Sequence, residues 1–87
     1  MFINKTIDGK NNLCGSVISM QRKHLGMSQR ELADELQRAG LDVDKNAIQR
    51  IEAGLRFVTD IELCYFSSVL HISIDSLLAD SSFRLSR

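Results

Sequence analysis

Lys45, Asn46, Gln49 and Arg50 follow one another at steps of one, three and one residues, so on a helix they share a single face. Lys and Arg side chains suit the N7 and O6 acceptors of guanine. The Asn and Gln amides both donate and accept, which matches the edge of adenine. A short helix bearing this set on its leading turns has the chemistry to read base edges from within a major groove. The same four residues also describe the solvated face of an ordinary surface helix, and their surroundings must decide between the two.

Other chemistries find little support. His24 and His71 are far apart and neither has a Cys or His at ligand spacing, so no zinc site is expected. A nucleophile–base set can be assembled only by arbitrary choice among Cys14, Cys64, His24 and His71, and no Gly-rich phosphate loop is present. The expectation is therefore a non-enzyme without metal or cofactor. Cys14 and Cys64 lie fifty residues apart without CxxC spacing and are expected as buried free thiols. The longest apolar run, Leu63 to Phe66, is far too short to span a membrane, and Met1 to Lys5 contains no apolar signal core. A cytoplasmic location is expected.

Charge works against nucleic-acid binding at first sight. The 87 residues hold eleven basic and eleven acidic side chains, for a formal net charge of zero. The distribution is uneven, however. Lys5, Lys10, Arg22, Lys23 and Arg30 face only Asp8 in the first thirty residues, whereas Asp60, Glu62, Asp75 and Asp80 have no basic neighbour between positions 57 and 80. A local basic face is compatible with a neutral whole.

Elements to position these residues are signalled at regular intervals. The chain has no proline and five glycines, and Leu, Ile, Glu, Gln, Arg and Ala are prominent, which favours helices. Ser28 with Glu31 and Thr59 with Glu62 have the spacing of capping boxes. Met27–Leu32, Val43–Ile48, Val58–Leu63 and Ile72–Leu77 have the spacing of hydrophobic staples, marking helix starts at Ser28, Asp44, Thr59 and Ser73. A first helix is expected over about 13–24, with Asn12 as its cap and Leu13, Cys14, Val17 and Ile18 as its apolar stripe. Gly40 and Gly54 should end the second and third helices. Leu63, Phe66, Ser67 and Leu70 give the fourth a core face. Ile61, Tyr65 and Val69 form a second stripe there, to be covered by the fifth helix or tail, or to serve self-association together with Phe83 and Leu85. The predicted organisation is a flexible arm over 1–11, an all-α five-helix domain over 12–79 and a tail over 80–87.

With these elements in order, Met27 to Ala33, Ile48 to Gly54 and Leu70 to Leu78 resemble the helix-turn-helix domains of the phage repressor and Cro proteins, also called the Xre family. The resemblance covers residues 15–78, about three quarters of the chain. It implies a compact, lambda-repressor-like five-helix bundle whose third helix enters the major groove. By position, Lys45, Asn46, Gln49 and Arg50 then occupy base-reading places. Ser28, Gln29 and Arg56 occupy places that grip phosphate, the helix-terminal amides adding to the grip. Arg22 and Glu52 correspond to a partly buried structural ion pair. The chain departs from the phage pattern in needing about five extra residues after Ala33 to reach Ile48, read as a longer second helix and a loop over Gly40 to Val43.

The functional expectation is a sequence-specific transcriptional regulator, a repressor, that binds double-stranded operator DNA as a homodimer through its third helix. The alternative is a protein-interaction or antitoxin-like module that keeps the fold with weak or no DNA binding and acts on a protein partner. Asp42 and Asp44, beside the groove-reading turn, motivate that alternative.

Overall fold

The computed structural model describes Lys5, Thr6 and residues 8–79. Among these residues there are five helices and no strand: α1 (Gly15–His24), α2 (Gln29–Ala39), α3 (Lys45–Glu52), α4 (Asp60–Leu70) and α5 (Ile74–Leu77). The start signals are realised in atomic detail. Ser28 Oγ accepts from the Glu31 amide while Glu31 accepts from the Ser28 amide, and Thr59 and Glu62 repeat the arrangement. Asp44 caps α3 through the Ala47 amide at 2.8 Å, and Ser73 caps α5 through the Ser76 amide. Each such cap contributes about 1 kcal/mol.

The first helix begins two residues later than expected. Asn12 Oδ1 accepts from the Gly15 amide, while its Nδ2 donates to the carbonyls of Ile51 and Arg56 at 3.1 and 2.8 Å. That side chain ties the start of α1 to the end of α3. Gly15 then passes so close to α3 that an added Cβ would lie 2.2 Å from the Ile51 carbonyl oxygen.

Helices α1 and α2 flank α3 on one side and α4 on the other, and α5 closes against α4 and α1. Ile18, Leu32, Leu36, Ile48, Ile51, Phe66, Leu70 and Leu77 are fully buried between them, with Cys14, Val17, Ala33 and Val43 completing the core. Full burial of one large aliphatic side chain contributes about 1.5–3 kcal/mol, so this cluster dominates the favourable energy. The preceding staple residues Met27, Val58 and Ile72 pack half-buried against it, as do Leu63, Tyr65 and Val69.

Two expectations need correction. Cys14 is buried, but Cys64 is exposed. On α4 the core side is set by Glu62, Phe66 and Leu70, and Cys64 lies two residues from Phe66, about 200° around the helix. Ile61, placed in the second apolar stripe, is 66% exposed, so α5 does not cover it. Phe83 and Leu85 lie outside the described residues.

Within the expected arm, Thr6 and residues 8–11 form a turn that lies against the end of α3. The Asn11 amide donates to the Gly54 carbonyl at 2.8 Å, and its side chain donates to the Leu55 carbonyl at 3.1 Å. This docking braces the helix that carries Lys45, Asn46, Gln49 and Arg50.

Candidate nucleic-acid interface

Helix α3 is amphipathic over only two turns. Ile48 and Ile51 are completely buried, which turns Lys45, Asn46, Gln49 and Arg50 outward, and all four are exposed. None of their side chains makes a hydrogen bond among the described residues, so their donors and acceptors face water. Asn46, Gln49 and Arg50, with Ala53 and Leu55, line an open hollow of about 340 Å³. The structure thus brings the four proposed base-reading residues onto one free surface.

The neighbouring carboxylates are unequal in effect. Asp44 has Oδ1 engaged by the Ala47 amide, so its charge offsets the positive end of α3. Asp42 is exposed in the turn before it, with no partner among the described residues. The extra length foreseen in this turn takes the predicted form: α2 runs to Ala39, Gly40 adopts φ 114° to end it, and Gln37 Nε2 ties the Val43 carbonyl at 2.7 Å. The longer connection is therefore fixed at both ends and holds α3 at a defined position relative to α2.

The residues assigned to phosphate are more constrained than their sequence suggests. Ser28 Oγ is occupied as the α2 cap, and the Glu31 carboxyl is lowered from its ordinary value by hydrogen bonds from the Ser28 amide and side chain. The side chain of Gln29 is half-buried and donates to Glu52 Oε1 at 3.0 Å. Its backbone amide, in the first turn of α2, has no hydrogen-bond acceptor among the described residues. Arg56 is held by Glu62 in a two-pronged pair, Nη1–Oε1 3.1 Å and Nη2–Oε2 2.9 Å, and also donates to the Phe57 carbonyl. The Arg56 pKa is raised, first by its hydrogen bond to Glu62. Burial alone would raise Glu62, but hydrogen bonds from Arg56 and Thr59 and the Arg56 charge outweigh it and hold the carboxyl low.

Arg22 and Glu52 meet at the base of the same face. Arg22 Nε donates to Oε2 at 2.7 Å and Nη2 to Oε1 at 3.0 Å, and Nη1 donates to the Met27 carbonyl at 2.8 Å. Their side chains are only 9% and 7% exposed. The Arg22 pKa is raised, chiefly by the hydrogen bond to Glu52. Because Gln29 also binds Glu52, one carboxylate joins α1, α2 and α3.

Sequence reasoning missed the Arg56–Glu62 pair, the link from Gln29 to Glu52 and the bracing role of Asn11 and Asn12. Glu62 carried a cap signal alone, and Arg56 sits six residues before it across a non-helical stretch, where no periodicity points to a pairing. Among the described residues, no group of three or more potential metal ligands occurs, and no helix is long and apolar enough to cross a membrane.

The helix-turn-helix family model matches residues 18–77, from within α1 to the end of α5. A chain of the SinR protein/SinI protein complex is 33% identical, with a TM-score of 0.64. The match covers 76% of the present chain and 60% of that one. The restriction-modification controller protein C.AhdI from Aeromonas hydrophila is 24% identical with a TM-score of 0.63, over 72% of this chain and 84% of that chain, a likeness of fold. No curated protein matches in sequence.

Proposed function

Because the chain belongs to the Xre/Cro-like helix-turn-helix family, we propose that it is a sequence-specific transcriptional regulator, a repressor that occupies operator DNA in the cytoplasm as a homodimer. The observation that carries this reading is the exposed set Lys45, Asn46, Gln49 and Arg50, without hydrogen bonds among the described residues, on a helix whose other side is buried. Lys45 and Arg50 take guanine acceptors, and Asn46 and Gln49 take adenine. Phosphate is bound at the start of α2, where the Gln29 amide presents a donor to an anion, while the Ser28 side chain stays engaged with Glu31. Arg56 adds a guanidinium whose remaining N–H groups lie beyond its pair with Glu62.

Two-fold dimers on half-sites about one helical turn apart recover the affinity that one short reading helix lacks. Phe57 and Ile61, 58% and 66% exposed, supply apolar surface for self-association or for a protein partner. A protein partner is the second reading, favoured by that same surface and by the likeness to a chain found in a two-protein complex.

Selection of bound sequences from a random duplex pool tests the proposal. A two-fold symmetric site is expected, with affinity that falls as salt rises and counterions are released. On that site Arg50→Ala should lose about 1–3 kcal/mol and relax preference at one base position. Unchanged affinity and preference for Arg50→Ala would remove α3 from the reading role. Absence of binding at low salt would favour the protein-interaction reading instead.

A further inference from the structure

Leu55 is apolar and 68% exposed, and it follows directly on Gly54, which ends α3 with φ 78°. In this kind of helix ending the residue after the glycine usually packs its side chain back on the last turn. The Leu55 amide does make the expected bond, to the Arg50 carbonyl at 2.9 Å, yet the side chain stays in water.

Its position is nevertheless fixed. Asn11 Nδ2 donates to the Leu55 carbonyl at 3.1 Å, and the Asn11 amide donates to the Gly54 carbonyl. The aliphatic stem of Lys10 covers Gly54 so closely that an added Cβ would meet Lys10 Cγ at 2.8 Å. The Leu55 backbone is thus already held, so covering the residue has only its side-chain rotamers left to fix.

Leu55 and Ala53 form the apolar side of the hollow whose polar side is Asn46, Gln49 and Arg50. The major groove displays one apolar group, the C5-methyl of thymine, and it displays it beside the adenine edge that suits Asn and Gln amides. We propose that Leu55, backed by Ala53, is a specificity residue that receives a thymine methyl group when α3 lies in the groove. The proposal rests on the DNA-reading function above and adds to it a base class that the four polar residues do not define.

Replacement of each thymine in the selected duplex by deoxyuridine, one at a time, removes a methyl group and leaves every hydrogen-bonding atom in place. For the unaltered protein, one thymine per half-site should show binding about fourfold weaker, the equivalent of about 0.8 kcal/mol for one buried methyl-sized group. Leu55→Ala should bind the uracil and thymine duplexes alike at that position and keep its response at all others. Its thermal unfolding should match that of the unaltered protein, since the side chain removed is exposed.

Uracil substitutions that are silent at every thymine, a selected site without a preferred thymine, or a penalty that survives in Leu55→Ala would each overturn the proposal. Arg50→Ala on the same duplexes separates the two levels. If it loses preference while the uracil series is flat, groove reading stands and the role of Leu55 falls. If it changes nothing, both fall together.

Discussion

Arg22→Ala puts the junction of α1, α2 and α3 to a quantitative test. The substitution removes two hydrogen bonds to Glu52 and one to the Met27 carbonyl, and leaves a carboxylate only 7% exposed with Gln29 as its remaining side-chain donor. Stranding one charge of a buried pair costs about 3–5 kcal/mol. A chain of this length has a total stability of roughly 4–13 kcal/mol at typical values per residue. The loss is thus a large share of the whole and should lower the melting temperature by about 12 °C or more. Urea titration followed by circular dichroism would measure it, with the midpoint falling at constant slope. Replacing both partners, Arg22→Met with Glu52→Met, should recover most of the loss, because two packed apolar groups carry no uncompensated charge. A loss below about 1 kcal/mol for Arg22→Ala would place the pair with ordinary surface bridges. A double replacement as damaging as the sum of the two single ones would refute the stranded-charge argument.

Gly15→Ala should destabilise by about 1–3 kcal/mol in the same titration, although alanine is the better helix former. Its methyl would meet the Ile51 backbone oxygen, which cannot swing aside. The Glu62 carboxyl is held below its ordinary value of 4.5 in the folded state, so its stabilising share is complete above that pH and is lost as pH falls through the lower folded value. Unfolding curves below pH 4.5 should therefore be less steep in pH for Glu62→Gln than for the unaltered chain, and equal slopes would contradict the Arg56 pairing. Burial first, opposed by a backbone hydrogen bond and aided by the Glu62 charge, pushes the Cys14 thiol from 9.0 to about 11. The stability it contributes is full below its unfolded value and lost as pH rises through about 11. A thiol reagent at neutral pH should thus modify Cys64 quickly and Cys14 only on unfolding, and equal rates at both would refute the burial of Cys14.

The helices were legible because their signals are local. Ser28, Asp44, Thr59 and Ser73 each act within three residues, and the staples span five, so spacing alone locates them. Lys45, Asn46, Gln49 and Arg50 were legible as a face for the same reason, since helical periodicity turns them away from Ile48 and Ile51. What escaped notice is tertiary. Gln29 reaches Glu52 across 23 residues and Asn12 reaches Arg56 across 44. Neither polar side chain carries a mark of its distant partner. The delayed start of α1 belongs with these, because it follows from Asn12 being drawn toward the end of α3. Cys64 departs from expectation for a different reason: its apolar type predicts a core position, but every third or fourth place on α4 is already filled by Glu62, Phe66 and Leu70.

The neutral net charge is where composition and structure point in opposite directions, and the structure explains why composition misleads. Most carboxylates have local tasks: Glu31, Asp44 and Glu62 cap helices, Glu52 and Glu62 hold Arg22 and Arg56, and Glu35 pairs with Arg38. Asp60 accepts from the Ile61 amide on α4, a helix that packs on α1, α2 and α5. Lys45 and Arg50 have no such acidic partner among the described residues and are exposed. At physiological salt a charge is felt over about 8 Å, so a duplex meeting α3 responds to the nearest side chains and not to the sum over the chain. Lys45 and Arg50 are therefore the exposed cations that a duplex lying on α3 would meet. Asp42, next to the start of α3, has no hydrogen-bond or ion-pair partner among the described residues. A patch of two cations bordered by one anion attracts DNA in general only weakly. If α3 reads bases as proposed, discrimination comes from base contacts, the regime in which the apolar contact proposed for Leu55 has its largest relative effect.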